Sequence, residues 1–281
     1  MRGVDIVLPG EDFTPGDCIV GTVVCMCDKS FNCNRVTLVL HGEEISRVVH
    51  GSGKSRHVHK ERREHVNQEL ELSGPCEVPE GDSSYEFSVF LPSDLPGSFT
   101  GLYGNIEYTI KANVEISRAL DKQSKKVINV RVVPPPPVSK GDRMTLERDG
   151  VSILTVEVEN GVLRPGQAFP LRFLLSGSPR FRGVRVQIIT RESVAPQGVR
   201  TEHETAIAEA YYLKEEIPEE TWIETVLEVP TACPPPFKTE LIELAYWLKV
   251  TLDIPLRTDQ TLFMPLHFSI VGHRLGLDTT L

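Results

Sequence analysis

The sequence predicts an all-β protein made of two tandem immunoglobulin-like antiparallel β-sandwiches. Three observations predict this fold class: β-branched residues are abundant, one stretch of the chain recurs, and apolar and polar residues alternate within the recurring stretch. Valine outnumbers alanine by 31 to 9, which favours strands over helices. Glycine and proline, at 21 residues each, provide the turns that many short strands require.

An internal repeat indicates two domains of one fold. A stretch of 25 residues that begins at Pro92 returns in the second half of the chain at a constant offset of 138 residues. The matched pairs are Pro92 and Pro230, Pro96 and Pro234, Phe99 and Phe237, Tyr108 and Tyr246, Lys111 and Lys249, and Ile116 and Ile254. Upstream, Pro15-Gly16 and Pro165-Gly166 each open a strand-like run, now at an offset of 150. From this change of offset we predict that the first copy is about 12 residues shorter than the second, at one place between these landmarks.

Alternation with a period of two marks the individual strands. In the repeat, the apolar series predicted to face inward is Tyr108, Ile110, Ala112, Val114 and Ile116, and its counterpart is Tyr246, Leu248, Val250, Leu252 and Ile254. The same pattern appears over 4–8, 36–40, 87–91 and 154–158, and gives about seven strands in each half. The composition of His57–Leu70 and of Glu204–Glu216 also permits helix, although neither has an apolar stripe at 3.6-residue spacing.

The domain organisation follows from the repeat and from one proline-rich stretch. Four consecutive prolines begin at Pro134, and because proline cannot donate a ladder hydrogen bond they favour an extended linker. We therefore predict an N-terminal sandwich over residues 1–133, a linker that leads into the second domain over 134–150, and a C-terminal sandwich over 151–281.

Composition excludes several classes of protein. The formal charge of −9 and an aromatic content of 7% oppose nucleic-acid binding, so we expect no nucleic-acid partner. No run of 18 apolar residues and no hydrophobic leader is present, so we expect neither a transmembrane protein nor a secreted one. Six cysteines without an Asn-x-Ser/Thr acceptor fit free thiols in a reducing compartment, and a cytoplasmic location is expected.

The stretch from Ile45 to His65 is basic although the whole chain is acidic. It carries six cations against Glu61 and Glu64, a net charge of +4. The cations are Arg47, Lys54, Arg56, Lys60, Arg62 and Arg63. One interpretation is a site for anions: a phosphate or phosphopeptide, lipid headgroups or an acidic tail. The alternative is a solvated loop or edge strand whose charges prevent aggregation between sheets.

A second charged stretch, from Glu202 to Glu228, has a net charge of −8 because only Lys214 opposes its nine glutamates. It is either a hydrated surface or a contact for the basic side of a partner. Lys111 and Lys249 are expected to point outward from equivalent strands. They either keep the protein soluble or contribute to a partner surface.

Motifs for catalysis, cofactors or metals are incomplete. Gly51-Ser52-Gly53-Lys54-Ser55 has Val48 where a phosphate-binding loop needs glycine. Cys25 and Cys27 alternate with Val23 on one side of a strand, where they are expected to be small core residues rather than zinc ligands. We therefore expect no catalytic residue, no metal site and no cofactor.

The order of features resembles the arrestin superfamily, and within it most resembles the α-arrestins. The resemblance covers residues from about Val4 to about Gly272 and is most specific over 85–112. In the first half it is carried by Leu40-His41-Gly42-Glu43, Val78-Pro79-Glu80-Gly81 and Tyr85–Pro92. In the second half it is carried by Leu163-Arg164-Pro165-Gly166 and Ala245–Val250.

The resemblance implies a non-enzymatic adaptor or scaffold for protein sorting. It would recognise cytosolic parts of membrane proteins or other trafficking proteins, with anionic headgroups as a further partner at endosomal or plasma membranes. The alternative is a permanent structural subunit of a sorting coat, as the arrestin-like subunit of retromer is. Pro234-Pro235-Pro236-Phe237 has Phe where the ligase-recruiting Pro-Pro-x-Tyr motif of α-arrestins has Tyr, so ligase recruitment is not implied.

Overall fold

A computed structural model describes residues 3–51, 53–137, 140–176, 181–256 and 258–270 of the chain. Almost every regular element is a strand, and the helical elements within these ranges are three single 3₁₀ turns, at Gly53–Ser55, Pro196–Gly198 and Lys214–Glu216. The chain forms two compact units. The first comprises Met1–Val132 with the short segments Val194–Thr201 and Thr239–Ile242, and the second comprises the remainder.

The first unit contains two packed sheets. Its strands are β1 (Gly3–Val7), β2 (Asp12–Phe13), β3 (Cys18–Cys27), β4 (Phe31–His50), β5 (His57–Ser73), β6 (Cys76–Val78), β7 (Gly81–Phe90), β8 (Phe99–Thr100), β9 (Gly104–Ile116) and β10 (Lys122–Val130). One sheet has the order β1-β3-β7. The other has the order β2-β10-β9-β4-β5, with β6 also paired to β4 and β8 to β9. Strand β5 therefore lies at an edge.

The second unit repeats this plan. Its strands are β11 (Asp142–Arg148), β12 (Val151–Val158), β13 (Val162–Leu163), β14 (Ala168–Leu175), β15 (Gly183–Val194), β16 (Thr201–Leu213), β17 (Trp222–Glu228), β18 (Phe237–Lys238), β19 (Ile242–Asp253) and β20 (Gln260–Phe268). The sheets have the orders β11-β12-β14-β17 and β13-β20-β19-β15-β16, with β18 paired to β19. Strand β11 lies inside the stretch that the sequence assigned to the linker and its junction with the second domain.

Equivalent residues of the two copies make equivalent hydrogen bonds. The hydroxyl of Tyr108 donates to the carbonyl oxygen of Pro96 at 2.7 Å, and that of Tyr246 donates to the carbonyl oxygen of Pro234 at the same distance. In both copies a short strand also pairs in parallel with the last strand, β2 with β10 and β13 with β20. The predicted tandem β-sandwiches are confirmed, and the duplication extends to individual hydrogen bonds.

The alternation predicted for the repeated strands is also confirmed. Ile110 and Leu248 are buried in the cores of their units, whereas Lys111, the neighbour of Ile110, is exposed and Lys249, the neighbour of Leu248, is half-buried. Cys25 and Cys27 are buried core residues, as their alternation with Val23 predicts. Burial of such apolar side chains is the main source of stability in a sandwich of this size.

The predicted length difference between the copies has the wrong sign. The hairpin formed by β4 and β5 spans 31–73, which is 43 residues, whereas the hairpin formed by β15 and β16 spans 183–213, which is 31 residues. The first copy is therefore the longer one, and this hairpin accounts for the full difference of 12 residues. The basic stretch lies within this longer hairpin.

The two stretches whose composition permitted helix are strands. His57–Leu70 lies within β5, and Glu204–Glu216 comprises most of β16 followed by a 3₁₀ turn. Both strands lie at the edges of their sheets. An edge strand tolerates polar and charged side chains on both faces, so its sequence lacks the clear alternation of a central strand.

Loss of either tyrosine hydroxyl is expected to destabilise its own unit. Tyr108→Phe and Tyr246→Phe each remove a hydrogen bond and leave a proline carbonyl oxygen without that donor. Each substitution should lower the free energy of unfolding by about 1–2 kcal/mol. Urea denaturation of the single and double variants measures this, and a loss below about 0.3 kcal/mol for both would contradict the structural role of the pair.

Candidate functional site

The long hairpin of the first unit extends past the strand beside it. Strand β9 pairs with β4 only as far as Ser46, which lies opposite Gly104. Beyond that point β4 pairs with β5 alone, over Arg47–His50 and His57–Lys60, and we call these two paired segments the arm. One face of the arm is packed, because Val48 is 2% exposed and Nδ1 of His59 lies 3.3 Å from Oε1 of Gln197. The backbone N–H of Arg47 donates to the carbonyl oxygen of Tyr103 at 2.8 Å and holds the base of the arm.

The register of the hairpin places three of the predicted cations on one face. Arg47 lies directly opposite Lys60, and Ile45 lies opposite Arg62 two pairs further from the tip. Residues opposite each other and two apart along a strand project to the same side, so Arg47, Lys60 and Arg62 share a surface, which we call the outer face of the arm. All three side chains are exposed.

The outer face carries three positive charges, and neighbouring acidic side chains neutralise them only weakly. Within the described residues, neither Arg47 nor Lys60 forms an ion pair. Arg62 is 60% exposed, and its Nη1 lies 3.8 Å from Oε2 of Glu43. Like charges directly opposite each other in an antiparallel pair are destabilising. A bound anion would relieve this repulsion.

The remaining predicted cations of the basic stretch lie elsewhere. Arg63 projects to the opposite face of the hairpin, where it forms an ion pair with Glu240 of a short segment that belongs to the same compact unit. Arg56 is exposed and immediately precedes β5. Lys54 lies in the 3₁₀ turn at the tip, and its side chain is outside the described part of the structure. The six cations therefore do not form a single cluster.

Sequence reasoning missed a pair of exposed apolar residues on the outer face. Val49 and Val58 lie directly opposite each other near the tip, and they are 38% and 48% exposed. Their alternation with Arg47 and Lys60 along each strand is the signal that could have identified them. They add apolar surface next to the cations, as the binding surface for an extended peptide requires.

Lys111 lies on the same side of the sheet as the outer face but far from it. It pairs with Val39 on β4 and with Lys125 on β10, and its side chain is exposed. Eight residues of β4 separate Val39 from Arg47, a distance of roughly 26 Å along the strand. Lys111 therefore belongs to a separate region of this surface.

Lys249 is engaged by neighbouring side chains in the second unit. Its Nζ donates to Oε2 of Glu204 at 2.7 Å, and the same carboxylate accepts a 2.7 Å hydrogen bond from Nη2 of Arg191. The guanidinium of Arg191 also lies 5.0 Å from the ring centroid of Trp247 and 4.9 Å from that of Phe263. Lys249 therefore lies on the surface of the sheet, where it forms an ion cluster with Glu204 and Arg191.

The Glu204 carboxylate is stabilised in its charged form. Burial alone would raise its pKa, but hydrogen bonds from Lys249 and Arg191 and the charges of those residues outweigh burial and lower the pKa. A lowered pKa in the folded state stabilises the protein above the pKa of the unfolded state, and this contribution is lost as the pH falls through the folded pKa.

Glu204→Gln should therefore reduce the acid sensitivity of the second unit. Between roughly pH 5 and pH 3 the wild type should lose stability more steeply than the variant, because only the wild type must protonate this carboxylate. Urea midpoints measured across this range check the prediction. Glu215→Gln, at an exposed glutamate in the same acidic stretch, is the control and should keep the wild-type slope.

The acidic stretch is partly neutralised by arginines from other strands. Glu209 lies 3.5 Å from Arg185, and Glu224 lies 3.9 Å from Arg172. Arg172 also forms a 2.6 Å ion pair with Glu157. The net charge of −8 read along the sequence therefore overstates the negative charge of the folded surface.

Across the described ranges, no three His, Cys, Asp or Glu side chains converge as a metal site would require. None of the helical turns in the described part of the chain is long and apolar enough to cross a membrane.

The fold and the hydrogen bonds place the chain among proteins built from a duplicated immunoglobulin-like sandwich. Comparison with family models then gives the family. The model described as "Arrestin (or S-antigen), N-terminal domain" matches residues 4–134, and the model described as "Arrestin (or S-antigen), C-terminal domain" matches residues 148–273. The chain belongs to the arrestin superfamily, whose members act in general as non-enzymatic adaptors in trafficking.

Proposed function

We propose that this protein is a cytoplasmic adaptor that binds acidic cytosolic segments of membrane proteins on the outer face of the arm. The observation that carries the proposal is the direct opposition of Arg47 and Lys60 on the exposed face of a long edge hairpin. Next to them lie Arg62 and the exposed pair Val49 and Val58, so that charge and apolar surface are combined. An extended acidic segment would neutralise the cations and cover the valines.

Comparison of the two copies supports a special role for the arm. The hairpin of β15 and β16 in the second copy is shorter by 12 residues, and its connecting residues Ala195–Arg200 contain one cation. A structural role shared by both sandwiches would not require the additional length or the additional charge in the first copy alone. Like-charged residues held opposite each other reduce stability, which favours a role in binding.

The proposal is tested by binding of a labelled peptide rich in Asp and Glu, followed by fluorescence anisotropy in increasing salt. We expect binding at low ionic strength that weakens about tenfold or more between 50 and 500 mM NaCl, because the outer face is solvent-exposed and its charges are screened. The matched peptide with Asn and Gln in place of Asp and Glu is the control and should bind much more weakly. Equal affinity for the two peptides would contradict the proposal.

A second measurement separates an adaptor from a permanent coat subunit. Size-exclusion chromatography with light scattering, together with proximity labelling in cells, should show transient partners that change with the membrane protein expressed. A constant stoichiometric complex that persists without any membrane-protein partner would contradict the adaptor role and favour the coat subunit.

A further inference from the structure

Two cysteines of the first unit lie directly opposite each other on neighbouring antiparallel strands. Cys33 of β4 pairs with Cys76 of β6. Residues in this relation have Cα atoms about 4.5 or 5.5 Å apart and side chains on the same side of the sheet. Both separations fall within the range that a disulfide spans without movement of the backbone. The other paired cysteines face different residues: Cys18 faces Phe90, Cys25 faces Ser83 and Cys27 faces Gly81.

The two thiols differ in their access to solvent. Cys33 is 3% exposed, and its Sγ donates to the carbonyl oxygen of Arg35 at 3.2 Å. Cys76 is half-buried, and its Sγ accepts a 3.4 Å hydrogen bond from Oγ of Ser73 and lies 3.9 Å from the hydroxyl of Tyr85. A small oxidant in solution can therefore reach Cys76, with Cys33 directly beside it.

We propose that Cys33 and Cys76 are a modification site that forms a reversible disulfide in the presence of hydrogen peroxide. In the first step the Cys76 sulfur attacks one peroxide oxygen and the O–O bond breaks, which gives a sulfenic acid at Cys76 and one molecule of water. In the second step the Cys33 sulfur attacks the Cys76 sulfur, the S–S bond forms, and the sulfenic hydroxyl leaves with the Cys33 proton as a second water. Two thiols lose two electrons in all, and one peroxide is reduced to two waters.

The environment of Cys33 determines how fast this reaction proceeds. Burial, and next the neighbouring Cys76, raise the pKa of Cys33 to about 11. Because the thiolate is the nucleophile, the disulfide should form slowly at neutral pH and faster as the pH is raised. Because attack by Cys33 is slow at neutral pH, oxidation of the pair requires a sustained supply of peroxide.

The disulfide would connect the base of the long hairpin. The closed loop would run from Cys33 through the arm and β5 to Cys76. A cross-link that closes a loop of this length restricts the unfolded chain and stabilises the folded one. For a unit of this size we expect the melting temperature of the first unit to rise by roughly 5–10 °C on oxidation.

The test uses the full chain, treated with hydrogen peroxide or with a phosphine reductant, alkylated and digested with trypsin without reduction. Arg35 and Arg63 place Cys33 and Cys76 on different tryptic peptides, so a disulfide appears as one cross-linked mass that the phosphine removes. We expect this species, and the rise in melting temperature, in the wild type and in Cys18→Ser. Both should be absent in Cys76→Ser and in Cys33→Ser.

Cys76→Ser is the more informative variant because Cys76 is half-buried, whereas substitution of the buried Cys33 tests folding as well. The proposal is overturned if peroxide-treated wild type retains two alkylatable thiols at Cys33 and Cys76. It is equally overturned if Cys76 is converted to sulfinic acid, or if the only disulfides join two chains through Cys18.

Discussion

Reversing the charges of Arg47, Lys60 and Arg62 together should weaken binding of an acidic peptide by about 100-fold. Each reversal at an exposed site changes the interaction with an acidic peptide by about 1 kcal/mol, and three such changes amount to about 3 kcal/mol. Anisotropy titration of the R47E/K60E/R62E variant measures the loss. The fold should be preserved, because all three side chains are exposed on one face of the hairpin.

A matched triple variant separates local charge from total charge. Lys29, Arg118 and Lys122 are exposed cations at the other end of the same unit, near the ends of β4 and β9 away from the arm. K29E/R118E/K122E changes the net charge by the same amount and should reduce affinity by less than about threefold. If the two triple variants lose affinity equally, then the peptide responds to overall charge and the outer face is not its binding site.

The largest effects on stability are expected in the two cores. Ile110→Ala and Leu248→Ala each remove a buried side chain from the repeated central strand of a sandwich, and each should cost about 2–5 kcal/mol. Lys111→Ala, at the exposed neighbour of Ile110, should change stability by less than about 0.5 kcal/mol. Urea denaturation measures all three. A cost at Lys111 equal to that at Ile110 would contradict the period-two burial of this strand.

The fold was predictable because the duplication can be recognised by comparing the two halves of the sequence. Residues of the repeat such as Tyr108 and Tyr246 keep their spacing, since each must reach a carbonyl oxygen twelve residues earlier in its own copy. Apolar and polar residues alternate clearly in the central strands because one face of each strand is buried. Edge strands such as β5 and β16 have polar residues on both faces, which is why their composition also permitted helix.

The site was predictable only as a set of cations. Whether Arg62 or Arg63 projects from the outer face depends on the register of β4 against β5, which shifts by one residue between Gly42 and Glu43. A sequence pattern does not reveal such an irregularity. The engagement of Lys249 by Glu204 likewise joins residues 45 positions apart, a pairing that depends on how the strands are arranged in the sheet.

The two copies share the requirements of the fold and differ in one hairpin. Both units retain the same parallel strand pair and the same tyrosine hydrogen bond, so the requirements of the fold are met twice. The first copy is longer by 12 residues in one hairpin, and the end of that hairpin beyond Ser46 is not paired with β9. The like-charged pair Arg47 and Lys60 lies on the exposed face of this end of the hairpin, whereas Val48 on its other face is buried.

Shortening the arm tests the central claim most directly. Replacing Arg47–Lys60 with Asn-Gly closes the hairpin at the pair of Ser46 and Glu61 with a two-residue turn and removes 12 residues, the length by which the first copy exceeds the second. Titration of this variant with the acidic peptide should show a loss of affinity of at least about tenfold, with cooperative unfolding retained. Wild-type affinity in a folded variant without the arm would contradict the account.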